Sequence, residues 1–125
     1  MHDHESEEMY LETILVLKGE KPAVRSIDIA ERLSYAKSSV SRGVNLLQDR
    51  GYIVIREDGF IDFTEAGAQK ANMIYERHKV LTAMLEELGA GKELAETNAC
   101  RIEHVIDDEI FDLIKAHVDD KRPTN

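Results

Sequence analysis

The chain has a single cysteine, two prolines and no tryptophan, and none of its apolar runs is long enough to cross a membrane. One cysteine cannot form an internal disulfide, so Cys100 is either a buried thiol or a functional one. The N-terminal segment is rich in Asp and Glu and lacks the basic start and apolar stretch of a signal peptide. These absences predict a cytoplasmic protein with no membrane partner. A length of 125 residues provides for one domain or two small ones.

Basic residues are the minority, and they are concentrated in one segment. The formal net charge of −9, taken alone, argues against a nucleic-acid partner. Residues 21–56, however, carry seven Lys/Arg and three Asp/Glu, a local net charge of +4, and acidic segments lie on both sides. This distribution is typical of a polyanion-binding surface whose acidic flanks are turned away or neutralised.

Apolar periodicity predicts a helix-turn-helix in the first half of the chain. Spacings near 3.6 residues indicate helices over residues 5–18, 27–33 and 37–50, and residues 34–36 form a three-residue turn. The apolar residues that the third helix is expected to bury are Val40, Val44, Leu46 and Leu47.

The apolar period then changes from 3.6 to 2. Residues 52–56 and 60–63 are β-rich runs, and Gly59 lies in the tight loop between them, which predicts a hairpin. Helix, turn, helix and hairpin in this order predict a winged helix-turn-helix. Three more helices are expected over residues 65–88, 92–106 and 108–118, followed by a frayed tail. The fold class is therefore mostly α.

The third helix has the composition of a DNA-reading helix. Small hydroxyl residues stand at its start and an arginine one turn later, where they can donate to base edges and phosphates in the major groove. Arginines before the second helix and near the wing (Arg50 and Arg56) are candidates for the phosphate backbone. The alternative is the ordinary solvated face of an amphipathic helix. The DNA-binding candidates are Arg25, Lys37, Ser38, Ser39, Ser41 and Arg42.

A second group of residues has metal-ligand spacing. Cys100, Glu103 and His104 stand at i, i+3 and i+4, so on a helix a thiolate, a carboxylate and an imidazole would share one face. Further donors are Met9 and Glu12, three residues apart on the first helix, and His78 on the long helix. Each alone has an ordinary structural role as core filler, buried thiol, surface charge or core histidine. Their occurrence together on three amphipathic helices favours a metal site.

Three motifs resemble the diphtheria toxin repressor family of metal-dependent bacterial repressors. They are residues 8–12 (EMYLE), 29–33 (IAERL) and 100–105 (CRIEHV). The resemblance implies an N-terminal winged helix-turn-helix DNA-binding domain over residues 1–72 and a helical metal-binding and dimerisation domain over residues 73–125. It also implies a homodimer that binds double-stranded operator DNA when loaded with metal. The SH3-like third domain of longer members is expected to be absent.

The resemblance also implies a ligand set. It places Met9, Cys100, Glu103 and His104 at ligand positions of the iron branch, His78 at an imidazole ligand of both branches, and Glu12 at a carboxylate of the manganese branch. Thr82, where an acidic ligand would be expected, and Glu96, which replaces a histidine but can still coordinate, depart from the iron branch. The implied ion is Fe(II) or Mn(II), with Zn(II), Co(II) or Ni(II) possible in vitro.

The ligand positions suggest a hypothesis for regulation, and alternatives stand beside it. Without metal, acidic ligands on the first helix and near Cys100 would repel, so a divalent ion would fix the first helix and with it the DNA-binding form. Apolar residues of the last two helices favour a homodimer over intrachain packing alone. One alternative is a winged-helix regulator that senses a small ligand or oxidation at Cys100. An enzyme is disfavoured, because no His-Glu-x-x-His pattern or nucleophile constellation is present.

Overall fold

A computed structural model describes residues 3–121, with side chains for residues 6–120. The described residues fall into two compact units, divided between Asn72 and Met73. In chain order the elements are α1 (Asp3–Glu20), α2 (Ser26–Leu33), α3 (Lys37–Asp49), β1 (Ile53–Ile55), β2 (Ile61–Phe63), α4 (Glu65–Glu87), α5 (Lys92–Ile102) and α6 (Asp108–Lys121). The predicted fold class, mostly α with a winged helix-turn-helix, is confirmed.

The first unit has a core to which its three helices and the hairpin all contribute. The strands pair antiparallel, with Ile53 opposite Phe63 and Ile55 opposite Ile61. The core residues with no exposed surface are Leu11, Ile14, Val24, Ile29, Val40, Val44, Ile61 and Ala71. The helices α1, α2 and α3 therefore pack against one another through this core.

A left-handed residue sets the short turn of the helix-turn-helix. Ser34 caps the C-terminus of α2 with φ of 59°, and the N–H of Tyr35 donates to the carbonyl of Ala30 at 3.0 Å. This cap satisfies a carbonyl that the end of the helix would leave without a partner. Consequently only three residues, 34–36, separate α2 from α3.

Thr64 directly precedes α4, and its side chain caps the N-terminus of that helix. Its Oγ1 accepts a hydrogen bond from the N–H of Gly67 at 3.1 Å and donates to the carbonyl of Gly51 at 2.6 Å. A Cβ at Gly67 would lie 1.8 Å from the carbonyl oxygen of Tyr52. Only glycine therefore permits this approach of α4 to the residue before β1.

The second unit comprises the rest of α4, α5 and α6. Its core centres on Val80, Phe111 and Val118, against which Met84 and Ile114 pack as partly buried residues. From α5 it is the small residues that are fully buried, Ala95 and Ala99. No helix within residues 3–121 is long and apolar enough to span a bilayer.

Three sequence-based expectations about these elements are wrong. Leu46 is 42 % exposed, because the buried stripe of α3 follows the i, i+4, i+7 positions Val40, Val44 and Leu47 and Leu46 lies beside it. The helix α5 ends at Ile102, four residues earlier than expected. The helix α6 runs to Lys121, through positions expected to fray.

Candidate metal centre and DNA-reading surface

The fold brings together the cluster predicted near the end of α5. Cys100, Glu103 and His104 each offer a ligand atom, and these atoms lie within 4.8 Å of one another. The expectation that all three share one helical face is wrong, because α5 ends at Ile102 and Glu103 is its C-cap. Cys100 therefore belongs to the last helical turn, whereas Glu103 and His104 belong to the non-helical turn that follows.

Glu103 is the most enclosed member of the cluster. Its side chain is 0 % exposed, and its Oε1 lies 3.0 Å from Nδ1 of His78 on α4. Its Oε2 is also buried and has no hydrogen-bond partner among the residues whose side chains are described. An enclosed carboxylate oxygen without a partner is unfavourable. A cation beside Glu103 would remove that cost.

The donor set fits a divalent transition metal. Thiolate, carboxylate and imidazole together suit borderline first-row ions better than the hard ions Ca²⁺ or Mg²⁺, which prefer oxygen alone. Cys100, Glu103 and His104 would hold the ion, with His78 at hydrogen-bond distance from Glu103. Bound there, the ion would supply the positive charge that allows a carboxylate and a thiolate to stand together.

Solvent exposure differs among Cys100 and the two positions that depart from the iron branch. Cys100 is exposed, whereas a thiol enclosed among metal ligands would be shielded from solvent. Glu96 is exposed on α5 and is not a member of the cluster around Cys100 in the described part of the chain. Thr82 has a buried Oγ1 with no hydrogen-bond partner among residues 6–120. Among the described residues, the cluster around Cys100 therefore does not include Glu96.

Met9 and Glu12 lie on α1 in the first unit, and both are half-buried. The hydroxyl of Tyr35 donates to Sδ of Met9 at 3.6 Å. Tyr35 stands in the turn before α3, so one predicted ligand contacts the helix-turn-helix directly. No pattern in the sequence indicates this contact, which joins residues 26 positions apart. The ligand roles of Met9 and Glu12 stay predictions.

A glycine brings α1 close to α3. A Cβ at Gly43 would lie 2.2 Å from Cε2 of Tyr10, a buried residue of α1. Burial, together with the neighbouring Tyr35, raises the pKa of Tyr10, and the charge of Arg42 partly opposes the shift. The helix that carries Met9 is thus packed directly on the helix predicted to read DNA.

A buried ion-pair cluster also fixes α1. Glu7 has a side chain 4 % exposed, and its carboxylate accepts hydrogen bonds from Arg50 at 2.8 Å and Lys70 at 2.7 Å. Burial lowers the pKa of Lys70, but the hydrogen bond and charge of Glu7 outweigh it, so the net shift is upward. Arg50, a candidate for phosphate contact, also pairs with Glu7, and its contact with phosphate stays a prediction.

The predicted DNA-reading side chains are accessible. Lys37, Ser38, Ser41 and Arg42 are exposed on α3, and Ser39 is half-buried. Arg25 is exposed at the N-cap of α2, where its backbone N–H donates to Asp28 at 2.8 Å. Contact of these six residues with DNA stays a prediction.

Two arginine side chains, Arg25 and Arg56, lie near the aromatic ring of Phe60. The guanidinium of Arg25 lies 4.3 Å and that of Arg56 5.7 Å from the centre of the Phe60 ring. Arg56 also pairs with Asp62 at 3.2 Å and with Asp58 at 3.6 Å. Of the two arginines, Arg25 is consequently the better candidate for a phosphate contact.

Two family models cover most of the chain. Residues 4–59 match the N-terminal DNA-binding domain of the iron-dependent repressors, and residues 64–122 match their metal-binding and dimerisation domain. The chain belongs to the iron-dependent repressor family. The resemblance to the diphtheria toxin repressor family is thereby confirmed, and because members are transcriptional repressors, an enzymatic function is set aside.

Curated relatives are similar over most of this chain. It is 32 % identical to an uncharacterised helix-turn-helix regulator of Methanocaldococcus jannaschii, over 89 % of this chain and 90 % of the relative. It is also 32 % identical to the diphtheria toxin repressor of Corynebacterium diphtheriae, over 82 % of this chain and 46 % of that repressor. A third relative is the regulator MntR of Lysinibacillus sphaericus, 32 % identical over 88 % of this chain and 82 % of its own.

Two solved structures of similar proteins have the same fold. The IdeR of T. acidophilum aligns with a TM-score of 0.75 at 27 % identity, over 88 % of this chain and 52 % of IdeR. A manganese-dependent transcriptional repressor, solved with manganese, aligns with a TM-score of 0.82 over 90 % of this chain and 52 % of its own. Its 23 % identity supports the fold alone. The chain thus spans about half the length of either solved chain.

Proposed function

We propose that this chain is a transcriptional repressor that binds operator DNA as a homodimer when it holds Fe(II), Mn(II) or a similar divalent ion, and that it controls metal homeostasis. The observation that carries the proposal is the buried Glu103, whose Oε2 has no hydrogen-bond partner in the described region and whose neighbours are a thiol and an imidazole. Membership of a metal-dependent repressor family supports the same conclusion.

The two units divide this function between them. We assign DNA binding to residues 1–72 and metal binding with dimerisation to residues 73–125, in line with the compact units of the fold. Arg25 and the five candidates of α3 would contact the duplex. Exposed apolar side chains of the second unit would join two copies: Leu88, Leu94, Val105, Ile110 and Leu113.

Regulation would act through α1. Residues 1–20 carry one Lys and six Asp/Glu, a net charge of −5. If Met9 and Glu12 complete the ligand set, metal ties this acidic segment down, away from approaching phosphates, and fixes the spacing of the two reading helices. Metal-free protein would hold α1 less firmly and bind DNA weakly.

The choice of ion rests on donor chemistry and supply. A thiolate and a thioether make the set softer than one of oxygen and nitrogen alone, and intrinsic affinity would favour Zn(II) over Fe(II) or Mn(II). Selection in the cell would therefore depend on geometry and on which metal is available. The family and a manganese-dependent structural neighbour make Fe(II) and Mn(II) the first ions to test.

A selection experiment tests the proposal. Random duplexes would be selected on the protein under anaerobic conditions with Mn(II) or Fe(II), and the affinity of the recovered sequence measured with metal and with chelator. We expect an inverted repeat and a loss of about 10²-fold or more in affinity with chelator, within the range of allosteric coupling energies. Glu103→Gln should abolish the metal response, and Glu96→Gln, a substitution on α5 outside the cluster, should leave most of it. Equal affinity with metal and chelator would contradict the proposal.

The exposure of Cys100 supports one alternative, repression controlled by oxidation. A thiol reached by solvent can form a sulfenic acid, and no metal would then be needed. Calorimetry with Mn(II), Fe(II) and Zn(II) on wild type and Cys100→Ala separates the two. Metal-dependent DNA binding unaffected by brief peroxide treatment supports the metal sensor, whereas peroxide-dependent release without metal supports oxidation sensing.

A further inference from the structure

Arg77 contacts the turn that carries two of the proposed ligands. It lies on α4 directly before His78, and its side chain is 12 % exposed. Its Nη1 donates to the backbone carbonyls of Glu103 and Ile106, each at 3.3 Å, and its Nη2 donates to the carboxylate of Asp108. One guanidinium therefore joins the C-cap of α5, the turn after it and the first residue of α6.

These contacts satisfy carbonyls that the helices leave without partners. The helix α5 ends at Ile102 and α6 begins at Asp108, so the carbonyls of Glu103 and Ile106 lie outside both helices. The last carbonyls of a helix attract positive side chains, both as acceptors and through the helix dipole. Arg77 supplies both a donor and a charge to this corner.

The ring of Phe111 fixes the guanidinium from the other side. Its centre lies 5.4 Å from Cζ of Arg77, and Phe111 is a core residue of the second unit. A planar guanidinium can stack on a ring while its edge donates several hydrogen bonds, which a lysine ammonium cannot do. The geometry is therefore specific to arginine.

Two adjacent residues of α4 hold Glu103 at two points. Arg77 binds its backbone carbonyl, and His78 lies 3.0 Å from its carboxylate. Holding the backbone fixes where the Glu103 side chain starts, and His104 is the next residue of the same turn. The approach of Glu103 and His104 to Cys100 thus depends on a residue that donates nothing to a cation.

We propose that Arg77 is a positioning residue of the metal centre, which fixes the turn of residues 103–107 so that Glu103 and His104 face Cys100 before a cation binds. This inference rests on the proposed function, since it requires that these three residues bind a divalent ion. Partners that orient ligands typically change metal affinity by about 10- to 100-fold when they are removed. An effect of that size is expected here without any change in the ligands.

The test compares substitutions of Arg77 with a control on the same pair of helices. Arg77→Met keeps an apolar stem beside Phe111 and removes every donor. Lys115→Met removes the exposed ion pair between Lys115 of α6 and Glu76 of α4, which lies one residue before Arg77. Mn(II) and Co(II) affinities would be measured by calorimetry on reduced full-length protein, and the Co(II) absorption spectrum recorded at saturation.

We expect Arg77→Met to raise the Kd for both ions by about 10- to 100-fold and to alter the Co(II) ligand-field bands, while Lys115→Met changes neither. A role limited to stability would lower the melting temperature and leave the Co(II) spectrum at saturation unchanged. Unchanged affinity and spectrum in Arg77→Met, or an equal loss in Lys115→Met, would overturn the inference and leave the proposed function standing. Absence of metal binding by wild type would overturn both.

If Arg77→Met fails to fold, Arg77→Lys tests the positioning role of Arg77 instead. Lysine keeps the charge but cannot reach two carbonyls and stack on Phe111 together, so its Kd should lie between wild type and Arg77→Met. Asp108→Asn retains both carbonyl contacts and removes only a highly exposed charge, 87 % accessible, so it should bind metal like wild type. If Arg77→Lys binds metal as tightly as wild type, the inference is overturned.

Discussion

Replacing Glu7 by glutamine should destabilise the first unit far more than an ordinary surface substitution does. The change keeps the shape of the side chain and removes the charge that Arg50 and Lys70 share. Lys70 is 18 % exposed, so a mostly enclosed ammonium would lose its anionic partner. The ring of Tyr52, 4.8 Å away, and its hydroxyl would remain beside Lys70.

The size of the loss follows from how exposed each pair is. Arg50 is 49 % exposed, so its pair with Glu7 contributes at most about 1 kcal/mol. Breaking a fully buried pair costs about 3–5 kcal/mol, and partial exposure, the glutamine oxygen and Tyr52 all reduce this figure for Lys70. We therefore expect a total loss of about 2–3 kcal/mol in the free energy of unfolding, a sizeable part of the stability of a small protein.

Urea unfolding followed by circular dichroism, with chelator present and protein concentration fixed, measures this loss. The matched control is Glu20→Gln, since Glu20 is also on α1 and pairs with an arginine, Arg32, but is 53 % exposed. We expect the control to lose less than about 1 kcal/mol. Equal small losses in both variants would refute the assignment of a buried, stabilising ion pair to Glu7.

The pH dependence provides a second measurement of the same contact. Because Glu7 raises the pKa of Lys70 above its usual value of 10.5, the pair stabilises the fold at neutral pH, and this stabilisation is lost as the pH rises through the raised pKa. The stability difference between wild type and Glu7→Gln should accordingly shrink above pH 10.5. A difference that stays constant through this range would contradict the assignment.

Two further predictions concern the packing of α3 on α1 and an ion pair at the start of α2. Gly43→Ala should lower the free energy of unfolding by about 1–3 kcal/mol, because the added Cβ would overlap the ring of Tyr10. Gly19→Ala is the control and should be tolerated, since the space around Gly19 is open. Equal melting temperatures of the two variants would contradict the close packing of α1 on α3. A hydrogen bond from Lys21 lowers the pKa of Asp28, so the contribution of this pair should be present above the unfolded pKa near 3.8 and be lost as the pH falls through the folded value. An NMR titration in which Lys21→Met leaves the Asp28 pKa unchanged would contradict that cause.

Local signals in the sequence were enough to predict the elements of the first unit. The change of period from 3.6 to 2 marks the hairpin, the apolar spacing marks each helix, and the left-handed Ser34 lies inside the predicted turn. The cluster of Cys100, Glu103 and His104 is likewise local, since residues three and four apart remain neighbours even where the helix gives way to a turn.

Features that depend on distant residues could not be predicted in this way. The helix α5 ends early where Arg77, 26 residues before Glu103, binds the free carbonyls. The carboxylate of Glu7 is paired with Lys70, 63 residues away, and no local pattern in the sequence connects these two residues. Helical periodicity also could not say which flank of the apolar stripe stays open, so the exposure of Leu46 was missed.

Under the proposed function, metal binding by the second unit and DNA binding by the first are coupled. By thermodynamic linkage, the factor by which metal tightens DNA binding must equal the factor by which DNA tightens metal binding. The most direct measurement is therefore a calorimetric Mn(II) titration with and without the selected duplex, on wild type and on Glu103→Gln. We expect a lower metal Kd with the duplex, by the same factor that metal lowers the DNA Kd, and no such effect in Glu103→Gln. An identical metal Kd with and without DNA would contradict this expectation.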